Sequence, residues 1–212
     1  MGKIAIFSHC NFTRMGFFSI VHERKSLVYS LATNDRLPFL TELIGRMDVD
    51  DVFVHVQIGA IGILRVIQKI LRSRLPVRVI VMVDNAHLPT LKLLRAMNVK
   101  TIFSKHDSLE NICKILHGPV FNNYISTELY AVIETIQPAS AWAKERTAFD
   151  GVQYLTPAET EIILDLLQGI SPWQVARKRF ISVKTVSSHK LAALKKMEIR
   201  GLNEFFITPR IK

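Results

Sequence analysis

Residues 3–17 read KIAIFSHCNFTRMGF, and this stretch sets the expectation for the fold of the N-terminal half of the chain. Four apolar residues at positions 4–7 form an unbroken run, which is typical of a parallel strand buried on both faces. The run then breaks into Ser8, His9 and Cys10 and continues into a segment with helical periodicity. In open α/β sheets ligands bind at the carboxyl ends of the strands, so Ser8 and His9 mark the place where a site is expected.

The same pattern of a strand followed by a helix repeats along the N-terminal half. Apolar runs rich in Val, Ile and Phe predict strands at 3–7, 27–33, 51–56, 77–83 and 101–104. Helical periodicity lies between and after them, at 12–21, 37–47, 61–73, 89–97 and 109–116. This alternation predicts an α/β doubly wound domain with a five-stranded parallel sheet and right-handed crossovers.

Beyond this repeat the organisation of the chain changes. Residues 126–136 predict one more helix, with Ser126 as a candidate N-cap. Residues 137–154 lose periodicity and contain Pro138 and Gly151, which is typical of a linker. We therefore predict an α/β domain over 1–122, a helix and linker over 123–151, and a small all-α domain over 152–212.

The composition is that of an ordinary globular protein, with 49% hydrophobic and 22% charged residues. No apolar run approaches the ~20 residues that cross a bilayer, and no signal-peptide pattern follows the N-terminus, so we expect a cytoplasmic protein with no membrane partner. Cys10 and Cys113 lie far apart without a CxxC partner, which argues against a disulfide or zinc framework. We expect no metal and no cofactor.

The chain is strongly basic, with a formal net charge of +10 at pH 7. Residues 152–212 hold 10 Lys and Arg against 5 Asp and Glu, so the positive charge is densest in the short C-terminal part. This distribution favours a polyanionic partner over a protein that is basic without one.

Capping signals divide the C-terminal part into short helices. The first is bounded by a capping box of Thr156 and Glu159 and by Gly169, a typical helix-ending residue. Ser171 and Ser182 are candidate N-caps of a second and a third helix. Three short helices with a tight turn between the last two predict a helix-turn-helix domain.

Each of these helices has a predicted inward face at helical spacing. The expected inward residues are Ile162, Ile163, Leu166 and Leu167 in the first, Val175, Ala176 and Phe180 in the second, and Val186, Ala193, Leu194 and Met197 in the third. Phe205 and Phe206 suit a fourth, closing helix.

The third helix is basic and polar, with no acidic residue between positions 182 and 197. Lysines neutralise phosphates, and hydroxyl and imidazole groups bond to base edges. The residues of these two kinds are Lys184, Lys190, Lys195 and Lys196, and Thr185, Ser187, Ser188 and His189. Arg177, Lys178 and Arg179 end the preceding helix. A solvated basic face is the alternative, but the position of the charge on the third helix favours DNA binding.

Over residues 152–206 the sequence resembles the LuxR/FixJ-type, NarL-like helix-turn-helix family. The matching motifs are LTPxE at 155–159, GxS at 169–171, VA at 175–176, ISxKTV at 181–186, His189 and LKK at 194–196. The resemblance implies that the major-groove side of the third helix carries Lys184, Ser187, Ser188, Lys190 and Leu191, and that Val186, Ala193 and Met197 hold this helix to the domain. Further candidate DNA contacts are Thr185, Lys195, Arg177 and Lys178.

Two residues depart from the pattern of this family. Leu191 stands where a basic residue is common, and Trp173 is unusual, with no role that we can assign.

The segment KTVSSHK at 184–190 is similar to the Rcs-type capsule-synthesis regulators and their auxiliary relatives. This resemblance implies that the partner is promoter DNA, to which the chain binds as a homodimer or as the auxiliary half of a heterodimer with an intact Rcs-type response regulator. Bound in this way, the protein would be associated with the bacterial nucleoid.

With this C-terminal domain, the α/β domain resembles a response-regulator receiver. A working receiver has two acids after its first strand, an aspartate at the end of its third, a Ser or Thr after its fourth and a lysine after its fifth. These groups bind Mg²⁺ through hard oxygen ligands, accept the phosphoryl group and neutralise its charge. Matching strand to strand places Ser8 and His9 at the acid pair, Val56 at the phosphoacceptor, Val83 at the hydroxyl and Lys105 at the lysine.

Only the lysine of the receiver set survives in this alignment, although Asp84 lies next to the Val83 position and can pair with Lys105. We therefore expect a degenerate receiver that is not phosphorylated and binds no metal. The alternative is a transition-metal or redox cluster of His9, Cys10 and His55.

These observations predict a DNA-binding transcriptional regulator that works without phosphorylation and is not an enzyme, since no clustered acids or nucleophile–base pair stand out. Two alternatives come from other classes. One is an adapter that acts mainly by protein–protein contact with a response regulator. The other is a regulator that senses a small ligand in the receiver-like pocket.

Overall fold

The computed structural model describes residues 2–22, 27–31, 40–73, 75–117, 124–136, 149 and 151–207. The chain divides into two compact units. The first comprises residues 1–86 and 99–132, and the second comprises residues 87–98 and 133–212.

The first unit is built on a parallel sheet, which confirms the predicted doubly wound fold. The strands are β1 (Lys3–Phe7), β2 (Leu27–Leu31), β3 (Asp51–Val56), β4 (Arg78–Val83), β5 (Thr101–Ser104) and β6 (Tyr124–Ile125), in the order β2-β1-β3-β4-β5-β6. The five-stranded prediction was one strand short. The sixth strand is only two residues long and pairs with Thr101 and Ile102. It therefore has no apolar run from which the sequence could predict it.

The helices of the α/β part follow the predicted alternation. They are α1 (Asn11–His22), α2 (Leu40–Met47), α3 (Ile61–Arg72), α4 (Leu88–Ala96), α5 (Leu109–His117) and α6 (Thr127–Ile136). The predicted strand end at 32–33, the predicted helix start at 37–39 and most of the predicted linker at 137–154 lie outside the described residues.

One face of the sheet forms a hydrophobic core with α1 and α5. Its buried members include Ile6 of β1, Phe53 of β3, Met82 of β4 and Phe103 of β5. Side chains alternate between the two faces of a strand, so residues two positions further on emerge on the same face at the carboxyl edge. Those residues are Ser8, His55, Asp84 and Lys105.

The second unit contains the three helices expected in the C-terminal part: α7 (Pro157–Leu167), α8 (Pro172–Arg179) and α9 (Val183–Lys196). The capping box of Thr156 and Glu159 is present, and Gly169 follows α7 with a left-handed φ of 82° that favours glycine. The chain then forms a 3₁₀ helix at Leu202–Phe206 instead of the expected fourth α-helix, with Phe205 buried and Phe206 exposed.

The inward residues of α7 and α9 are buried as predicted, with Leu166 partly so. The prediction for Phe180 was wrong. This residue caps the C-terminus of α8 with a left-handed φ of 55°, and its ring is almost fully exposed. Across the described residues, no helix has the length and apolar character needed to cross a membrane.

Candidate nucleic-acid interface and receiver-like strand ends

A chain of polar side chains joins the carboxyl ends of four strands in the first unit. Ser8 Oγ lies 2.9 Å from His55 Nδ1, and His55 Nε2 lies 2.8 Å from Asp84 Oδ1. Lys105 Nζ lies 3.0 Å from the same Asp84 oxygen, which confirms the predicted pairing of these two residues. We call Ser8, His55, Asp84 and Lys105 the strand-end network.

The ionised Asp84 carboxylate sets the direction of its hydrogen bonds with His55 and Lys105. Burial opposes the ionisation of Asp84, but hydrogen bonds with His55 and Lys105 outweigh it, and the pKa of this carboxyl lies below its usual value. The Asp84 carboxylate therefore accepts a bond from His55 Nε2–H, and in the tautomer with a neutral ring this leaves Nδ1 as the acceptor for the Ser8 hydroxyl. Ser8 Oγ in turn accepts a bond from the backbone N–H of Cys10 at 3.1 Å.

The structure brings together some of the predicted receiver-site residues and leaves others apart. Ser8 and Lys105 belong to the strand-end network, whereas His9 is exposed. Val56 and Val83 are buried and pair with each other across β3 and β4. The side chain from β3 that reaches the network is His55, one residue before the predicted Val56. Asp84, one residue after Val83, takes the equivalent place directly after β4.

Ser8, His55 and Asp84 form a nucleophile–base–acid series that the sequence analysis missed when it found no nucleophile–base pair. Such a series activates a serine when a substrate can reach the hydroxyl. The Ser8 side chain is 0% exposed, so in this geometry the series acts as an internal polar contact between strands. Within the described part of the chain, no group of three or more His, Cys, Asp and Glu side chains could hold a metal ion, and the alternative cluster of His9, Cys10 and His55 is not assembled.

The second unit positions α8 and α9 through their N-caps and the turn between them. Ser171 and Gln174 form a capping box at α8. Ser182 caps α9 by accepting the backbone N–H of Thr185, and the two hydroxyls of this pair lie 2.8 Å apart. The hydroxyl of Thr185, a predicted DNA contact, is therefore engaged in the start of the helix.

Four side chains form an exposed row on α9, at spacings of four, three and four residues. They are Lys184, Ser188, Leu191 and Lys195, and we call them the α9 stripe. Such spacings place residues on one face of an α-helix. Ser187 and Lys190, the other predicted contacts on this helix, are half-buried at its flanks, and the opposite face packs through Val186, Ala193 and Leu194.

Ion pairs separate the basic residues of the second unit into two groups. Lys178 and Arg179 contact the fully buried Asp165, through Lys178 Nζ at 3.0 Å and Arg179 Nη2 at 2.6 Å. Lys196 Nζ contacts Glu159 at 2.7 Å. Among the described residues Lys184, Lys190 and Lys195 make no ion pair, so their charges face solvent or a ligand.

Trp173 and Arg177 form an exposed pair on α8. The Arg177 guanidinium lies 5.7 Å from the centre of the Trp173 ring, a cation–π distance, and both side chains are exposed. Their spacing of four residues on one helix could have indicated this contact from the sequence.

Comparison with known proteins identifies both parts of the fold. Residues 153–207 match the family model "Bacterial regulatory proteins, luxR family". The nitrate/nitrite response regulator protein NarL of Escherichia coli (strain K12) is 24% identical over 160 residues, which are 76% of this chain and 73% of NarL.

Two solved structures of RcsB share the fold of the chain. RcsB from Salmonella enterica serovar Typhimurium, bound to promoter rprA with a phosphomimetic, has a TM-score of 0.55 at 17% identity and covers 98% of this chain and 100% of that one. An RcsB–DNA complex of the two-component response regulator has a TM-score of 0.53 at 15% identity, with 97% of each chain covered. The predicted resemblance to a LuxR/NarL-like regulator with a receiver domain is thereby confirmed.

Proposed function

From a luxR-type helix-turn-helix domain joined to a receiver-like domain, we propose that this chain is a transcriptional regulator that binds specific promoter DNA without being phosphorylated. We further propose that it does so as a dimer, with itself or as the auxiliary partner of an Rcs-type response regulator. It has no catalytic role of its own in this proposal.

The observation that carries the DNA-binding part is the α9 stripe. Two lysines that make no ion pair with any described residue lie at its two ends, and a hydroxyl and an aliphatic group lie between them. Cationic side chains bind phosphates, and short polar and apolar side chains read base edges in the major groove. RcsB has been solved in complex with DNA, which supports the same partner for this chain.

The strand-end network supports independence from phosphorylation. Phosphoryl transfer to a receiver needs an oxygen nucleophile and hard oxygen ligands for Mg²⁺. At these strand ends β3 contributes an imidazole and β1 a hydroxyl that is already hydrogen-bonded. The carboxylate of the network, Asp84, is engaged by both His55 and Lys105.

Exposed apolar side chains on α1 support the dimer. Phe12 is 86% exposed, and Met15 and Phe18 are exposed on the same helix. Exposed apolar side chains in such a group are typical of protein–protein interfaces. DNA sites for helix-turn-helix dimers contain two half-sites about one helical turn apart, and a second domain raises the local concentration of the first.

The contribution of the α9 stripe is tested with Lys184→Ala. We expect the affinity for a selected promoter duplex to fall by about 1–3 kcal/mol, because a contact to a base or phosphate is lost. The wild-type affinity should also fall steeply with salt as counterions are released, and the variant should show a shallower slope. Binding is measured by fluorescence anisotropy between about 50 and 200 mM salt, a range over which the affinity of a protein with several phosphate contacts falls by roughly three to five orders of magnitude.

Lys114→Ala is the matched control, since Lys114 is an exposed lysine on α5 whose loss changes the net charge equally. Equal losses of affinity in the two variants would show that only net charge matters. That result would favour the adapter, in which DNA contact is secondary.

The partnership is tested by an electrophoretic mobility shift on promoter DNA, with each protein alone and with both together. A heterodimer predicts a new, tighter complex only when this chain and an Rcs-type response regulator are both present. Full-affinity binding by this chain alone, unchanged by the partner, would contradict the heterodimer and leave a homodimer.

A further inference from the structure

Leu191 is the one apolar member of the α9 stripe. Its side chain is 63% exposed, and Lys184 and Lys195 are the two ends of the row in which it lies. The buried apolar residues of α9, Val186, Ala193 and Leu194, lie on the other face, so packing within the unit does not account for Leu191. The side chain is a large aliphatic group that lies in water between two cations. Removing its apolar surface from water gives a favourable free energy when a ligand covers it.

The stripe itself limits what that ligand can be. Its end lysines make no ion pair among the described residues, and Lys184 lies seven residues before Leu191 and Lys195 four residues after it. At 1.5 Å per residue, this places the leucine about 10 Å and about 6 Å from the two charges along the helix axis. A surface that offers anions on both sides and an apolar group between them fits the α9 stripe.

The major groove of DNA is such a surface. Phosphates line both edges, and the C5-methyl of thymine is the apolar group that the base pairs present there. Among the four bases only thymine offers a methyl group for apolar contact with an aliphatic side chain at this place. A lysine there would instead bond to the O6 and N7 atoms of guanine.

We propose that Leu191 is a specificity-determining residue that selects a T·A pair by contact with the thymine methyl. This inference rests on the proposed DNA binding and adds which base the centre of the α9 stripe reads. Ser188, one turn earlier, completes the apolar and hydroxyl pair between the lysines; its Oγ is 3.0 Å from the Lys184 carbonyl in the free chain and keeps its acceptor lone pairs.

The experiment begins with duplexes that the full chain selects from a random-sequence DNA library. Each thymine of the selected site is then replaced, one at a time, by deoxyuridine, which lacks only the C5-methyl. We expect one replacement to weaken wild-type binding about fourfold, the value for burial of one methyl-sized group of about 0.8 kcal/mol. Leu191→Ala should bind the thymine and deoxyuridine duplexes equally at that position and keep the wild-type discrimination elsewhere.

Two further variants sharpen the result. Leu191→Lys should replace the preference for T by a preference for G at the same position. Leu109→Ala on α5 removes a leucine that is 62% exposed, nearly the same as Leu191, and should leave the thymine discrimination unchanged.

The outcomes separate this inference from the proposed function. If the wild type selects no duplex sequence, either alone or together with an Rcs-type response regulator, both are overturned. If it selects a site but tolerates deoxyuridine at every thymine, or if Leu191→Ala keeps the full discrimination, DNA binding stands and the role of Leu191 is overturned. A Leu191→Ala loss that appears only in a partner-protein assay would assign the leucine to a protein contact instead.

Discussion

At the scale of single residues, the side chains of the strand-end network are held by hydrogen bonds to one another. His55 bonds on one side to the buried Ser8 and on the other to Asp84, so each of its nitrogens has a partner. A buried polar chain of this kind is stable only while all of its members are present, because an unpaired polar group in the interior loses its hydration without compensation.

The replacement His55→Ala tests this account. It removes the hydrogen-bond partner of the Ser8 hydroxyl and one of the partners of the Asp84 carboxylate. We expect the free energy of unfolding of the first unit to fall by about 1–3 kcal/mol. Urea denaturation measures the change, with His106→Ala as control because His106 is exposed. Equal midpoints for the two variants would show that the network contributes no stability.

The residues of this network were only partly predictable, and the reason is strand alternation. The alignment to receivers matched Ser8 with Val56 and Val83, which lie on the opposite faces of their strands. Counting by twos from the buried residues Phe53 and Met82 leads to His55 and Asp84 instead. That periodicity was present in the sequence. The alignment named Val56 and Val83 instead, because strand ends were matched by position rather than by face.

At the scale of secondary-structure elements, caps and one buried carboxylate hold the helix-turn-helix together. The capping residues Thr156, Ser171 and Ser182 were all predictable, because an N-cap depends on residues within one turn of it. The pairing of Asp165 on α7 with Lys178 and Arg179 on α8 was not, because it joins residues on different helices. For this reason Lys178 was predicted only as a DNA contact.

The ion pairs of Asp165 with Lys178 and Arg179 form a clamp between α7 and α8, which Asp165→Ala tests. Removing a fully buried partner leaves Arg179 without its main counterion, and we expect a loss of about 3 kcal/mol of stability, the lower end of the range for a broken buried pair. The lower end applies because Arg179 also contacts Glu161, and Lys178 can turn towards solvent. Thermal unfolding of the chain measures the loss.

Glu161→Ala is the matched control, since Glu161 pairs with the same arginine but is partly exposed, and it should cost less than about 1 kcal/mol. A loss as large as that of Asp165→Ala would place the clamp at Glu161 and contradict the role given to Asp165.

At the scale of the whole molecule, two units with different chemistry share one chain. The second unit exposes lysines on α9, while the receiver-like strand ends of the first are joined by internal hydrogen bonds. The alternation of strands and helices and the helix-turn-helix plan could be read from the sequence because periodicity and capping are local. The short β6 strand and the 3₁₀ helix could not, since pairing and packing with distant residues define them.

We propose that DNA binding by this chain does not depend on phosphorylation. The most direct measurement is a fluorescence anisotropy titration of a selected promoter duplex, before and after treatment of the chain with a small radiolabelled phosphodonor and Mg²⁺. An intact response regulator treated in parallel shows that the donor is active. We predict the same Kd in both titrations and no label on the chain. Label incorporated at the strand-end network together with a tighter Kd would contradict the account.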